Sequence, residues 1–260
     1  MKLAIKSLIT SLLKVGLKKN DNIYLSINFF SLALSTINIK NKKNKDLINK
    51  NFLTAIRYII GKNGNIFVPT YTFTFRSYKN NFIYNVKKTK SKLGEFPNFF
   101  LKLKNIKRTI DPIASIAGIG PNVSKILSKY PSKSYGPGTF WERFNKLKNS
   151  KIINVGLGPY WFPFVHQAEF NAKVKYRKNI VFYGIIKNKR KLKNAKWIYF
   201  SRNLDENNEI NTEKIGKLIN KKKLIKKQNL GRTYIYTYDS KIVFKEFVRI
   251  LKKNNKILFS

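Results

Sequence analysis

The chain carries a single imidazole, His166, followed three residues later by a carboxylate, Glu169. The pattern from His166 to Ala172, just after Pro163, predicts a helix, and residues i and i+3 of a helix share a face. A carboxylate in that position can hold the imidazole tautomer and stabilise its protonated form, which suits a general base near neutral pH. A lone histidine is more often a structural, hydrogen-bonded residue, so the motif alone leaves both interpretations open.

Composition excludes several other kinds of chemistry. The chain has no cysteine, which rules out disulfides, thiolate nucleophiles and cysteine-ligated metals. One histidine cannot make a multi-histidine metal site within one chain, and we expect no metal. The 260 residues, 43% of them hydrophobic, are enough for a full core in one α/β domain or two small ones.

The charge balance is strongly basic, with 54 lysines and arginines against 12 acidic residues and a formal net charge of +42. Only nine of the basic residues are arginine, which nucleic-acid-binding proteins favour for bidentate contacts. The lysines are spread along the whole chain, as an AT-rich genome would produce. We therefore expect no specific nucleic-acid partner and keep a basic nucleic-acid-binding protein as an alternative. The positive field should attract anions and repel polycations.

Helix and strand patterns alternate along the chain, which predicts an α/β sheet covered by helices. The stretch up to Gly16 has the spacing of an amphipathic helix, and lysines interrupt its apolar run. It is predicted to be neither a signal peptide nor a membrane span, so we expect a cytoplasmic protein.

The remaining elements are predicted from periodicity and from helix and turn signals. Strands are predicted at Asn22–Ile27, Asn65–Pro69, Ile113–Ala117, Ile152–Leu157, Ile180–Ile186, Trp197–Phe200 and Thr233–Tyr238. Helices are predicted at Asp46–Ile60, Phe96–Leu103, Asn122–Tyr130, His166–Ala172 and Ser240–Lys253, with a long loop at Thr70–Lys92.

A series of segments, each weak alone, occurs in a specific order and spacing. They are Ser26-Ile27-Asn28-Phe29, G-N-I-F-V-P-T-Y-T over 64–72, L-G-E-F-P-N-F-F over 93–100, R-T-I-D-P-I-A-S-I-A-G-I-G-P over 108–121, Y-G-P-G-T-F-W-E-R-F over 135–144, F-V-H-Q-A-E over 164–169 and V-K-Y-R over 174–177. This series resembles the aminoglycoside 3-N-acetyltransferase family. The resemblance covers residues 1–180 well and the C-terminal third weakly.

The resemblance implies a helix-covered mixed sheet in one compact domain over residues 1–260. It also implies acetyl transfer from acetyl-CoA to a free amine of an amino sugar, with His166 as general base. In this interpretation Glu169 orients the imidazole, and Asp111 joins Glu169 in holding the substrate ammonium. A catalytically degenerate family member is the alternative, because Ser26, Asp111 and Pro163 replace the histidine, histidine and threonine that the family often carries.

The coenzyme site implied by the resemblance lies at Ser26, Ile27, Asn28 and Phe29, together with Arg108 and Ser115. Arg108 suits a coenzyme A phosphate or a substrate carboxylate. The hydroxyls of Ser115, Thr109 and Thr139 are candidates to donate to the oxyanion of the attacked thioester. For any one hydroxyl, a turn or cap role is the competing interpretation.

The acceptor is expected to be neutral or anionic and not polycationic. The segment Phe73-Thr74-Phe75-Arg76 has no carboxylate where the antibiotic-modifying members of the family often place acidic residues. A polycation needs several carboxylates to offset its desolvated ammonium groups. The sequence specifies neither the acceptor amine nor the oligomeric state.

Overall fold

The computed structural model describes residues 2–36, 45–76, 82–202 and 210–259. The helices and strands of this part of the chain are, in order, α1 (Lys2–Lys14), β1 (Asn22–Ile27), α2 (Phe29–Thr36), α3 (Lys45–Ile60), β2 (Asn65–Pro69), a 3₁₀ turn (Thr74–Arg76), β3 (Ile83–Asn85), α4 (Glu95–Leu101), β4 (Lys107–Arg108), β5 (Ile116–Ile119), α5 (Val123–Leu127), α6 (Phe140–Asn145), β6 (Ser150–Val155), α7 (Val165–Ala172), β7 (Arg177–Asn188), β8 (Lys191–Arg202), α8 (Glu213–Lys221), β9 (Lys226–Leu230), β10 (Thr233–Asp239) and α9 (Ser240–Lys253).

Seven of the strands form one sheet in the order β4-β5-β2-β1-β6-β10-β9. At its centre β1 runs parallel to β2 and β6, whereas β5 and β10 pair antiparallel with β2 and β6. Strand β1 is buried on both faces, as is typical of a central parallel strand. The predicted helix-covered mixed sheet is therefore confirmed.

A hydrophobic cluster packs on each face of this sheet. Because side chains alternate along a strand, Tyr24 of β1 faces one cluster and its neighbours Ile23 and Leu25 face the other. The Tyr24 cluster includes Phe140, Trp141 and many residues of α7 to α9, whereas α1 and α3 contribute to the opposite one. Two layers of helices thus enclose the sheet.

A second, three-stranded sheet has the order β3-β7-β8. Strands β7 and β8 form a long antiparallel hairpin, and β3 pairs with β7 in parallel through Ile83 and Ile185. The segment Thr70–Lys92, predicted to be a long loop, therefore contains β3 and the 3₁₀ turn. Local periodicity could not show β3, because its partner strand lies about a hundred residues further along the chain.

Most predicted elements are observed, and several end where predicted. The strands at Asn22–Ile27 and Asn65–Pro69 and the helix at Ser240–Lys253 have the predicted bounds. The strand predicted at Ile113–Ala117 lies three residues later, because Asp111 Oδ1 accepts hydrogen bonds from the backbone amides of residues 113 and 114 and turns the chain there. Helices α2, α6 and α8 and strands β4 and β9 were not predicted. Among the described residues, no helix is long and apolar enough to cross a membrane.

Candidate active site

The predicted pair of His166 and Glu169 is formed on α7. The His166 Nδ1 atom lies 2.8 Å from Glu169 Oε2, across the i,i+3 spacing that the helix provides. The Glu169 side chain is fully buried, whereas 27% of the His166 side chain is exposed. The carboxylate is thus buried behind an imidazole that still reaches the surface of a cavity.

Arg177 completes the pair from the first residue of β7. Its Nε atom lies 2.7 Å from the same Glu169 Oε2, and only 5% of its side chain is exposed. The guanidinium also donates to the carbonyl oxygen of Phe200 on β8. Lys173 ends α7 in the left-handed conformation, with φ of 56°, and this reverses the chain so that β7 begins beside α7.

Arg177 lies within the last segment of the sequence resemblance, but no role was predicted for it. Seven residues lie between it and Glu169, and they span a helix end and a turn. No helical or strand period relates positions across such a break. Its place beside the carboxylate follows from the turn at Lys173, which local spacing does not show.

Burial favours the neutral form of His166, and the neighbouring charges oppose one another. Burial lowers the pKa of His166, the positive charges of Arg177 and Arg76 lower it further, and the hydrogen bond to Glu169 opposes them. Burial alone would raise the pKa of Glu169, but its hydrogen bond to His166 and the charge of Arg177 outweigh burial and lower it. Glu169 is therefore ionised and accepts the Nδ1 proton, which leaves the Nε2 lone pair free to accept a proton.

His166 borders a cavity of about 420 Å³ at the carboxyl ends of the parallel strands β1, β2 and β6. Open α/β sheets bind ligands at this edge. The lining is mostly apolar and aromatic, and its polar members are few. It consists of Tyr24, Leu25, Ser26, Ile27, Val68, Pro69, Tyr71, Phe73, Leu93, Phe96, Pro97, Tyr135, Leu157, Trp161, Phe162, Pro163, Val165, His166, Ile210 and Thr212.

Aromatic side chains hold the imidazole on its cavity side. The ring of Tyr135 meets His166 edge to face at a centroid distance of 5.4 Å, and Tyr199 packs against Tyr135 at 5.5 Å. The Arg76 guanidinium lies 4.8 Å from the centroid of the Tyr199 ring. Composition alone did not predict these rings, since an aromatic residue in the sequence is more often part of the core.

Two of the four residues predicted at the end of β1 line the cavity. Ser26 and Ile27 contribute to its wall, and the buried Ser26 Oγ has no hydrogen-bond partner among the described residues. Asn28 instead caps α2, because its Oδ1 accepts from the backbone amide of Ser31 at 3.1 Å. Phe29 is the first residue of α2 and packs against the cluster on the other face of the sheet.

The side chains of Arg108 and Ser115 form hydrogen bonds to backbone carbonyl oxygens and do not line the cavity. The Arg108 guanidinium donates to the carbonyl oxygens of Val86, Thr89 and Thr70. Ser115 Oγ donates to the Thr70 carbonyl at 2.6 Å. Their predicted contacts with coenzyme and oxyanion are not supported by this geometry, because both side chains already bind the backbone that follows β2 and, for Arg108, the backbone that follows β3.

Asp111 is also turned inward. It is fully buried, and its Oδ1 accepts from the amides of Ile113 and Ala114 at 2.8 Å each. Burial raises the pKa of Asp111 to about 6. This side chain shapes the turn before β5 and is not among the residues that line the cavity, while its Oδ2 has no hydrogen-bond partner among the described residues. Its contact with a substrate ammonium stays a prediction.

The two threonines predicted as oxyanion donors have internal partners as well. Thr109 Oγ1 accepts from the amide of Ile116, and Thr139 Oγ1 donates to the carbonyl of Gly136. The buried hydroxyl at the cavity wall that has no partner among the described residues is instead Ser26 Oγ. Tyr24, two residues earlier on β1, directs its hydroxyl toward that of Tyr71.

No group of three or more His, Cys, Asp or Glu side chains within the described ranges is arranged to hold a metal ion. The cavity lining also contains no aspartate or glutamate among the residues that the structure describes. The acid–base pair and an apolar, aromatic cavity are therefore the features from which chemistry has to be derived.

Comparisons with known proteins agree on the fold. Solved structures similar to this chain include the aminoglycoside acetyltransferase AAC(3)-IVa apoenzyme (19% identity, 98% of this chain and 91% of that chain covered, TM-score 0.73). Sisomicin-bound AAC-VIa is similar too, with 16% identity, 96% of this chain and 97% of that chain covered, and a TM-score of 0.79. The YokD protein from Bacillus subtilis has 16% identity, 96% of this chain and 99% of that chain covered, and a TM-score of 0.76. No curated protein sequence gives a significant match.

The sequence profile of the family described as aminoglycoside 3-N-acetyltransferase matches residues 37–252. This range is most of the chain and includes His166, Glu169 and Arg177. At the low identities of these structures, the structural likeness shows the fold, and the profile shows the family. The chain belongs to the aminoglycoside 3-N-acetyltransferase family, whose members are acetyl-CoA-dependent acyltransferases.

Proposed function

We propose that this protein transfers the acetyl group of acetyl-CoA to a free amine of an amino sugar, with His166 as general base. The observation that carries the proposal is the imidazole itself: Nδ1 is 2.8 Å from a buried carboxylate, and the ring borders an apolar cavity. An apolar cavity at the carboxyl edge of the sheet suits the pantetheine arm of coenzyme A, and the unpaired Ser26 Oγ offers it a polar contact.

The proposed reaction is direct. As the amine nitrogen attacks the thioester carbonyl carbon, His166 Nε2 takes the proton that the nitrogen loses. The carbon–sulfur bond then breaks, and the imidazolium returns the proton to the departing sulfur. Glu169 stabilises the imidazolium, and Arg177 holds Glu169 ionised and in place.

Transfer through a ternary complex follows from the lack of an activated nucleophile. The chain has no cysteine, and no serine or threonine hydroxyl of the described residues hydrogen-bonds His166. We expect intersecting initial-rate patterns when acetyl-CoA and acceptor are varied together. Parallel lines, or an acetylated protein in intact-mass spectra, would contradict direct transfer.

The acceptor is proposed to be neutral or anionic apart from its reacting amine. The described cavity lining has no carboxylate that could offset additional ammonium groups, and the molecule carries a net charge of +42. The competing candidate is an aminoglycoside, since similar structures contain sisomicin in AAC-VIa and a gentamicin in a variant of AAC(3)-IVa. The carboxylate-free lining favours the first acceptor class.

Turnover of acetyl-CoA on a panel of amines tests the function. The panel should contain hexosamines, their phosphates, nucleotide-linked amino sugars and aminoglycosides, with His166→Ala and His166→Gln beside the wild type. We expect either substitution to lower kcat/KM by at least about a hundredfold while the far-UV spectrum and Tm are retained. Near-normal turnover by His166→Ala would refute the base assignment, and no turnover with any amine would favour the catalytically degenerate alternative.

A further inference from the structure

Arg76 lies at the end of a short turn that begins at the cavity wall. Phe73 lines the cavity, and the Arg76 amide donates to the Phe73 carbonyl at 3.0 Å, so one 3₁₀ turn separates the two residues. The 3₁₀ turn itself runs from Thr74 to Arg76, directly after Phe73, whose backbone is left-handed with a φ of 52°. Arg76 therefore lies one turn away from the cavity wall that Phe73 lines and is not itself among the lining residues.

The turn is held firmly by its neighbours. Phe75, between Phe73 and Arg76, is buried against Gly184 of β7. The contact is close, because a Cβ added to Gly184 would lie only 2.4 Å from the Phe75 ring. The Thr74 amide also donates to the carbonyl of Pro112 at 2.8 Å. The backbone of the turn is consequently held at Thr74 and Phe75, directly before Arg76.

Ring contacts connect the Arg76 guanidinium to the candidate base. The guanidinium carbon lies 4.8 Å from the Tyr199 centroid and 6.0 Å from that of Phe182. Tyr199 contacts Tyr135, which contacts His166. The charge of Arg76 is also one of those that lower the pKa of His166, which agrees with its position close to the imidazole.

Four other arginines direct their guanidinium groups to hydrogen bonds or ion pairs within the fold, and Arg76 does not. Arg57, Arg108 and Arg143 direct theirs to backbone carbonyl oxygens, and Arg177 pairs with Glu169. Among the described residues, Arg76 forms no ion pair and has only ring contacts, and the residue is exposed. A guanidinium fixed over an aromatic ring keeps all its N–H donors for a ligand.

We propose that Arg76 binds an anionic group, a phosphate monoester or a carboxylate, of the acceptor whose amine faces His166. The inference rests on the proposed acetyl transfer and adds the substrate class: an amino sugar that carries a negative charge at a position other than the reacting nitrogen. The planar guanidinium suits bidentate binding of either anion. The nearby cavity lining has no carboxylate among the described residues that could compete for the guanidinium.

The test compares acceptors that differ only in the anion. Kinetics are measured with glucosamine, glucosamine 6-phosphate and a 2-amino-2-deoxyuronic acid, for wild type, Arg76→Ala and Arg76→Lys. Lys227→Ala is the matched control, because this substitution also removes one positive charge that is stacked on an aromatic ring, that of Tyr234. Lys227 does not line the cavity. Rates are taken at about pH 8, above the pKa of the base, so that the effect of Arg76 on His166 does not enter.

We expect Arg76→Ala to lower kcat/KM for glucosamine 6-phosphate or the uronic acid by at least about tenfold, and for glucosamine by less than about twofold. Arg76→Lys should restore part of the loss, and Lys227→Ala should leave the ratio between acceptors unchanged. The acceptor whose rate falls more identifies the anion. Equal losses on charged and uncharged acceptors, or no loss on any, would overturn the proposal.

Two further outcomes separate this inference from its alternatives. If Arg76→Ala raises KM for acetyl-CoA and leaves the ratio between acceptors unchanged, Arg76 contacts a coenzyme phosphate and the proposal is wrong. If the wild type acetylates none of these acceptors, the proposed function fails for them, and binding is measured instead by the fluorescence of Trp161, a half-exposed residue of the cavity wall. Binding of glucosamine 6-phosphate that Arg76→Ala weakens and Lys227→Ala does not would still support the anion site, and binding unaffected by Arg76→Ala would overturn it.

Discussion

At the scale of residues, one carboxylate oxygen organises the proposed chemistry. Glu169 Oε2 lies 2.8 Å from His166 Nδ1 and 2.7 Å from Arg177 Nε. The arginine compensates the buried carboxylate, which would otherwise be costly without a partner. It also adds a positive charge near the imidazole, so the two neighbours of His166 shift its pKa in opposite directions.

This opposition predicts opposite shifts of the pH profile. A general base loses activity as pH falls through its pKa, and the wild-type inflection in kcat/KM should lie below the ordinary histidine value of about 6.5. Arg177→Met removes a charge that lowers the pKa of His166, so the inflection should move to higher pH. Glu169→Gln removes the interaction that raises this pKa, so the inflection should move to lower pH.

The measurement is kcat/KM against pH for the three proteins, at fixed ionic strength. Glu169→Gln should also cost less activity than His166→Ala, because Glu169 orients the imidazole and does not accept the substrate proton. Shifts in the same direction for Arg177→Met and Glu169→Gln would show that their charges do not act on the base in the way inferred.

Asp111 leads to a prediction about stability. Burial raises the pKa of Asp111 from 3.8 to about 6, so its contribution to stability is fully present below about pH 3.8 and is lost as pH rises through about 6. A rise of this size corresponds to roughly 3 kcal/mol. In Asp111→Asn the side chain does not titrate, and the variant should gain up to that amount relative to wild type between about pH 4 and about pH 7.5.

The free energy of unfolding in urea is measured for wild type and Asp111→Asn at both pH values. Any cost of packing the introduced side-chain amide is the same at the two pH values and cancels in the comparison. An unchanged stability difference between wild type and variant would show that Asp111 ionises in the folded chain as easily as in the unfolded one.

At the scale of elements, the site depends on strands that end together. The cavity lies where β1, β2 and β6 end, and the chain after β6 turns sharply to supply Leu157, Trp161 and Pro163 to its wall before α7 begins. Gly156 makes this turn with a φ of 65°. The arrangement places α7, and with it His166, over the edge of the sheet.

Gly156 should therefore be far less replaceable than Gly158 in the same loop. A Cβ on Gly156 would lie 2.3 Å from Ser31 Cβ in a left-handed backbone, whereas a Cβ on Gly158 would meet nothing within 4 Å. We expect Gly156→Ala to lower the free energy of unfolding by more than about 1 kcal/mol, and Gly158→Ala to change it by less than about 0.5 kcal/mol. The free energies of unfolding of the two variants are measured in denaturant. Equal values would contradict the packing of this turn on α2.

At the scale of the whole molecule, charge is the dominant property. A net charge of +42 gives a field that attracts polyanions, and coenzyme A carries several phosphates. The cavity lining itself contributes no lysine or arginine among the described residues. The field should therefore act on the approach of substrates more than on contacts inside the cavity.

Salt should reveal this long-range contribution. Raising ionic strength from about 0.01 M to about 0.15 M shortens the screening length from about 30 Å to about 8 Å. We expect kcat/KM for acetyl-CoA to fall at least about threefold, whereas S-acetylpantetheine, which lacks the phosphates, should react at a rate that salt hardly changes. The same salt dependence for both donors would show that the field does not steer the coenzyme.

The sequence by itself determined the family, the alternation of helices and strands and the pairing of His166 with Glu169. These depend on short spacings. Three residues on a helix bring two side chains to one face, and a short apolar run such as residues 66–69 favours a buried strand. The bounds of β1, β2 and α9 were predictable for the same reason.

Only the tertiary structure decided which polar residues face the cavity. Arg108 and Asp111 lie in the most extensive motif of the chain, yet their side chains bind backbone groups, whereas Arg177, with no predicted role, holds the carboxylate. The physical reason is that a polar side chain near a buried sheet must satisfy the nearest unpaired backbone groups, and the sheet order selects those groups from distant parts of the chain. The stacking of the Arg76 guanidinium over Tyr199 was also decided by tertiary structure, because Tyr199 lies far along the chain, on β8.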